Sequence, residues 1–187
     1  MRKILLVLIA IWLFMPTVCA QKVGLVLSGG GAKGLTHIGI IRALEENNIP
    51  IDYITGTSMG AIIGSLYAMG YSPDDMEELS FKDSLKNFKP QFLPTSVVNP
   101  IQMNLVFVDL YARATASCKG DFDKLFVPFR CIASDVYNKK QLVMRNGDLG
   151  DAVRASMSFP FMFKPIEIDN VLAYDGGIYN NFPTDVM

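Results

Sequence analysis

Apolar positions along the chain alternate between two periods. Lys22–Ser28 alternates weakly and predicts a buried first strand. Lys33–Asn47 then sets Leu35, Ile38, Ile41 and Leu44 at three-residue steps, the period of a helix with one apolar face. Ile51–Thr55 predicts a second short strand. Ser58–Met69 is apolar on most sides and rich in Ala and Gly, the pattern of a helix buried all round. Ser72-Pro73-Asp74-Asp75 supplies an N-cap, a first-turn proline and an acid at the third position, so another helix starts there. Signals blur from Phe81 to Ser117, where Pro90, Pro94 and Pro100 interrupt any long element. Phe129–Val136 and Lys140–Arg145 predict strands, the second ending at the turn pair Asn146-Gly147, and Asp148–Met157 predicts a helix. Phe163–Ile168 and Val171–Tyr174 predict two more strands around an Asp169-Asn170 turn. Strands alternating with helices predict an α/β fold, three layers deep around a central, largely parallel sheet.

The first twenty residues stand outside this pattern. Arg2 and Lys3 precede an unbroken apolar run from Ile4 to Met15, and Val18-Cys19-Ala20 offers small residues at a cleavage site. These are the three parts of a secretory signal peptide, too short for a comfortable membrane span. The chain is therefore expected to be exported, to the periplasm, the outer membrane or the medium. Residues 21–187 would remain, enough for one domain with a real core. Loss of Arg2 and Lys3 takes the formal charge from −1 to −3, and no basic run survives, so nucleic acid is not an expected partner. Cys118 and Cys131 are too few for a disulfide framework, although export would permit one bridge. No spacing of Cys, His and carboxylates suggests a metal site, and no cofactor is expected.

Chemistry concentrates in three glycine-rich stretches. Gly29, Gly31 and Gly34 satisfy the G-x-G-x-x-G pattern between a strand and a helix, which raises a dinucleotide fold. The acid such a fold needs belongs at the end of the second strand, whereas Asp52 stands at its start; a P-loop reading fails because Leu35 occupies the lysine position. Gly56-Thr57-Ser58-Met59-Gly60 is G-x-S-x-G at a strand–helix junction, the nucleophile elbow that exposes a serine oxygen at a helix N-terminus. A serine nucleophile needs a base. His37, the only histidine, lies in the first helix beside Ile38 and Ile41 and reads as a packing or hydrogen-bonding residue. Asp175-Gly176-Gly177 offers an acid at a strand end, with glycines that permit close backbone approach.

These motifs resemble those of the patatin-like phospholipases, serine acyl hydrolases, and bacterial secreted members in particular. The flanking stretches THIGIIRALEE, GAIIGSLYAMGY and RASMSFPFMFKP match as well, so the likeness spans nearly all of residues 21–187. The resemblance implies a dyad of Ser58 as nucleophile and Asp175 as base, without histidine. It implies an oxyanion loop over Gly29, Gly30, Gly31, Ala32, Lys33 and Gly34, with Gly56, Gly60, Gly176 and Gly177 supporting the two catalytic turns. The substrate would be a lipid or phospholipid, met at a membrane surface. Lys33 reads as solvated or as drawing an anionic head group, Phe159, Phe161, Met162 and Phe163 as an acyl-chain wall or plain core, and Phe88–Val108 as a lid or a surface insertion. The chain ends twelve residues after Asp175, and PTDVM reads as a helix cut short. The domain is accordingly expected to be C-terminally incomplete, with a downstream outer-membrane domain in a longer form. Two other readings remain open: a nucleotide-binding module using the glycine loop, and an inactive truncated product.

Overall fold

A computed structural model describes residues 21–81, 90–93, 96–98 and 100–187. The expected signal peptide lies outside the described residues, as does most of the stretch 82–99. The elements run β1 (Gly24–Leu27), α1 (Thr36–Glu46), β2 (Tyr53–Thr57), α2 (Met59–Ala68), α3 (Pro73–Phe81), β3 (Pro90–Leu93), β4 (Ser96–Val98), α4 (Pro100–Cys118), β5 (Phe129–Asp135), β6 (Lys140–Met144), α5 (Leu149–Ser156), β7 (Ile166–Ile168) and β8 (Val171–Asp175). The α/β class and the central sheet follow the sequence pattern closely.

The main sheet is open and mixed, ordered β1-β2-β5-β8-β7, with β6 paired to β5; β3 and β4 form a separate antiparallel pair. Strands β1, β2 and β5 are parallel, while β6, β8 and β7 join antiparallel. β6 covers one edge of β5 from Cys131 to Asp135. The other edge is shared. β2 takes Phe129 to Ile132 and β8 takes Ala133 to Asp135. Running in opposite directions, β2 and β8 therefore end head to head, with Thr57 opposite Ile132 and Asp175 opposite the next residue, Ala133.

β5 is buried along its whole length and forms the middle of the core. Over the parallel strands lies α2, buried at Gly60, Ala61 and from Ile63 to Ala68, which is why its sequence is apolar on most sides. α1 and α3 pack against each other and onto α2. The α3 start is a reciprocal cap: the Asp75 amide donates to Ser72 Oγ (3.2 Å) and the Ser72 amide to Asp75 Oδ2 (3.0 Å).

Inside the blurred stretch the structure holds a 19-residue helix, α4. Its proline is a start rather than a break: Pro100 sits at the first helical position, where the missing N–H has no helical partner to lose. The pattern was obscured because Phe107, Tyr111 and Cys118 are buried while Leu105 and Val108 face outward, so apolar residues occupy both sides. The lid or insertion expected over Phe88–Val108 falls partly outside the described residues. Cys118 and Cys131 are buried free thiols, so the permitted bridge is not formed.

Candidate active site

Ser58 stands between β2 and α2 with φ 54° and ψ −120°, a conformation that non-glycine residues rarely adopt. Dense packing imposes it. A Cβ on Gly60 would run into the Leu27 carbonyl at the end of β1, and one on Gly56 into the Gly60 backbone. Only glycine lets the first turn of α2 lie this close to the strand ends, and the strain is held by the burial around it.

The head-to-head ending of β2 and β8 brings the elbow to Asp175. Ser58 Oγ donates a hydrogen bond to Asp175 Oδ2 at 2.7 Å. The other carboxylate oxygen, Oδ1, accepts from the Gly177 amide at 2.7 Å. Gly176 is packed beneath: a Cβ there would strike the Ile132 carbonyl. The Asp175 amide donates to the Ser158 carbonyl (3.0 Å). Asp175 is nearly inaccessible, and burial pushes its carboxyl above the usual carboxylate range, partly offset by the Ser58 hydroxyl and the Gly177 amide. A buried carboxylate with a raised pKa, hydrogen-bonded to a strained serine, is poised to accept that serine's proton.

Both side chains open into a cavity of about 650 Å³. Gly29, Gly30 and Gly31 form one border, and Ile62, Met157, Phe159, Met162, Phe163 and Ile178 make apolar walls. Ala32 and Lys33 are exposed beyond the border in a 3-10 turn, and Gly34 is buried against Met59. The six-residue glycine stretch thus divides, its first three residues facing the cavity and its last three turning into α1.

His37 is not brought to the serine. Its Nε2–H donates to the Ser28 carbonyl at 3.0 Å, at the base of the glycine loop, which agrees with a hydrogen-bonding role. The carbonyl can only accept, so the proton is on Nε2. Burial pushes the Cys131 thiol up to about 12, which leaves it neutral and unreactive at physiological pH. Among the described residues no cluster of His, Cys, Asp or Glu could hold a metal ion.

Four residues of the site carry no motif of their own. Ser156 Oγ accepts the Ser58 amide (2.8 Å) and donates to the Ile132 carbonyl, tying the elbow to β5. Asn181 lines the cavity and ties down the glycine loop, accepting the Gly29 amide on its backbone oxygen at 3.2 Å. Arg154 is fully buried. Its guanidinium donates to Ser158 Oγ (2.6 Å), the Lys164 carbonyl (3.0 Å) and Asn104 Oδ1 (3.3 Å), and lies 5.7 Å from the Phe163 ring centre. Ser158, the fourth, is thereby held from one side by Arg154 and holds the Asp175 amide on the other. An arginine inside an otherwise buried helix face was the available signal, since a charge is kept there only when its donors are satisfied.

The family model for patatin-like phospholipases matches residues 25–187. A patatin-like phospholipase domain-containing protein of Caenorhabditis elegans is 35% identical over 178 residues, covering 89% of this chain and 13% of the relative. The lysophospholipase NTE1 of Kluyveromyces lactis is 32% identical over 178 residues, covering 91% of this chain and 12% of its own. The chain thus spans about an eighth of the length of these relatives. Among solved structures, VipD of Legionella pneumophila superposes with a TM-score of 0.65 at 20% identity, over 87% of this chain and 47% of that one, a likeness of fold.

Proposed function

This chain belongs to the patatin-like phospholipase family, and from that premise we propose that it is a serine acyl hydrolase that cleaves ester bonds of lipids through Ser58 and Asp175. The observation that carries the reading is the 2.7 Å hydrogen bond from Ser58 Oγ to Asp175 Oδ2 at the floor of an apolar cavity. In the proposed reaction Asp175 takes the hydroxyl proton as Ser58 Oγ attacks the ester carbonyl, giving a tetrahedral oxyanion. Collapse expels the alcohol, which takes a proton back from Asp175, and leaves an acyl-serine. Water, deprotonated by Asp175, then attacks this acyl group; the bond to Ser58 Oγ breaks, the serine oxygen takes the proton back from Asp175, and the acid is released.

A carboxylate is a weak base for a hydroxyl, so the oxyanion has to be well stabilised. The backbone amides of Gly30 and Gly31, at the cavity border, are the proposed donors, and one such donor is worth roughly 3 kcal/mol in a preorganised site. The apolar walls suit an acyl chain. The nucleotide reading is disfavoured because the acid expected at the end of the second strand is missing, Asp52 standing before β2 (Tyr53–Thr57).

The lysophospholipase activity named for the yeast relative makes a singly acylated phospholipid a reasonable first substrate. Export through residues 1–20 is part of the proposal, checked by cleavage and release of the chain in a secreting host. The central test is labelling with a fluorophosphonate probe, expected on Ser58 and lost in Ser58→Ala, alongside turnover of p-nitrophenyl esters. Thermal stabilisation by NAD or ATP with neither labelling nor esterase activity would overturn the reading.

A further inference from the structure

Next to the cavity lies a short loop whose side chains face water although they are large and apolar. Phe159 is 55% exposed, Phe161 88% and Met162 45%, and Ile178 across the opening is 40% exposed. Three of these, Phe159, Met162 and Ile178, also line the cavity, so wall and rim form one continuous apolar surface. Phe161 stands outside it and is the extreme case. Its φ is +69°, a left-handed conformation that a bulky residue adopts only under strain. The fold thus holds the ring in strain and leaves it in water, two costs that packing within the described residues does not repay.

The surrounding charge indicates what does. The segments that border the opening, 28–36, 157–165 and 176–184, contain two charged side chains, both lysines: Lys33 and Lys164. Both are exposed. The carboxylate of the opening, Asp175, is buried at its floor. An apolar rim flanked by cations, in a chain whose overall formal charge is −1, complements a surface that is apolar inside and anionic at its edge. We propose that the Phe159–Met162 rim inserts into the surface of an anionic lipid bilayer, with Lys33 and Lys164 on the headgroup phosphates. An acyl chain then passes along the rim into the cavity without crossing water. The inference rests on the lipid hydrolase reading for its purpose, but the surface it assigns is separately testable.

The binding test uses Ser58→Ala, in which turnover is blocked, sedimented with vesicles of phosphatidylcholine containing phosphatidylglycerol. Binding is expected, and Phe161→Ser in the same background should weaken it at least about tenfold, the loss of most of one buried aromatic side chain. Lys164→Gln should weaken binding to these vesicles and not to phosphatidylcholine alone, with the difference vanishing as salt is raised. In the parent chain Phe161→Ser should leave kcat/KM on p-nitrophenyl butyrate unchanged, since Phe161 does not line the cavity. Phe161→Gly separates docking from a structural role. It relieves the left-handed strain, so Tm should hold or rise while vesicle binding falls; a residue needed for folding would lower both. Vesicle binding indifferent to Phe161 would overturn the proposal. So would a chain that ignores vesicles and self-associates through Phe161, since the rim would then be a protein interface. Phe161-dependent binding without any esterase activity would leave this inference standing and remove the proposed function instead.

Discussion

Ser58 and Asp175 meet across 2.7 Å, yet the two turns that carry them are built by different means. The elbow is held by contact. Glycine backbones at 56 and 60 press on each other and on the end of β1, beside the buried strand β2. The acid corner shares one such contact, Gly176 against the Ile132 carbonyl, but the carboxyl itself is oriented by directed hydrogen bonds: the Ser158 carbonyl, the Gly177 amide and, behind Ser158, the guanidinium of Arg154. Close packing against backbone cannot yield locally, so damage to the elbow should appear as lost stability. Hydrogen bonds around a buried charge orient that charge at a cost to the fold, so damage to the corner should appear as lost activity.

The largest effect expected comes from the dyad itself. Ser58→Ala and Asp175→Asn should each lower kcat/KM on soluble esters by at least about a thousandfold, as removal of members of a catalytic unit generally does. Stability should separate the elbow from the corner even here. The folded pKa of Asp175 lies above its unfolded value, so its contribution is fully present below the unfolded pKa and is lost as pH rises through the raised folded value. At neutral pH the ionised group is therefore a burden, and Asp175→Asn should hold or raise the urea midpoint. A midpoint that falls at pH 7 would break the contrast. The same raised pKa should shift the acid limb of the pH–kcat/KM profile above the ordinary carboxylate range, because the base must be ionised.

Next in size is Gly60→Ala. The added methyl meets a carbonyl rather than a flexible side chain, so about 1–3 kcal/mol of stability should be lost, read from denaturant unfolding. Arg154→Lys should have a smaller and different effect. A lysine keeps the charge but cannot reach three acceptors with one planar fork, so Asp175 loosens and kcat falls by about tenfold, with KM for a soluble ester little changed. Smallest of all, His37→Ala should leave esterase activity nearly intact, since the ring bonds to Ser28 and not to the dyad. A loss comparable to Ser58→Ala in a folded protein would reopen the assignment of the base.

The elbow and the acid were legible because each demand is written within a few residues: a tight turn needs glycine on both sides of the serine, and close approach needs glycine after the acid. Helices α1, α2 and α3 were legible for a similar reason, their periodicity or capping being local. Their supporting residues were not. Ser156 and Ser158 read as ordinary serines until β5 and Arg154 are placed around them. Nor could the meeting of β2 and β8 on one edge of β5 be read, since strand register depends on residues far apart in sequence. Helix α4 was hidden because it carries apolar residues on both its buried and its exposed sides, and because its proline was ambiguous between start and break.

That shared edge of β5 has a consequence for the timing of activity. The serine comes early in the chain and the acid 117 residues later, and they become neighbours only when β8 pairs in line with β2. Until β8 is added, Ser58 has no proton acceptor beside it. The pairing of serine and acid therefore waits until β5 is in place to receive β8. On the proposed reading, the site would stay silent toward esters until that pairing is made.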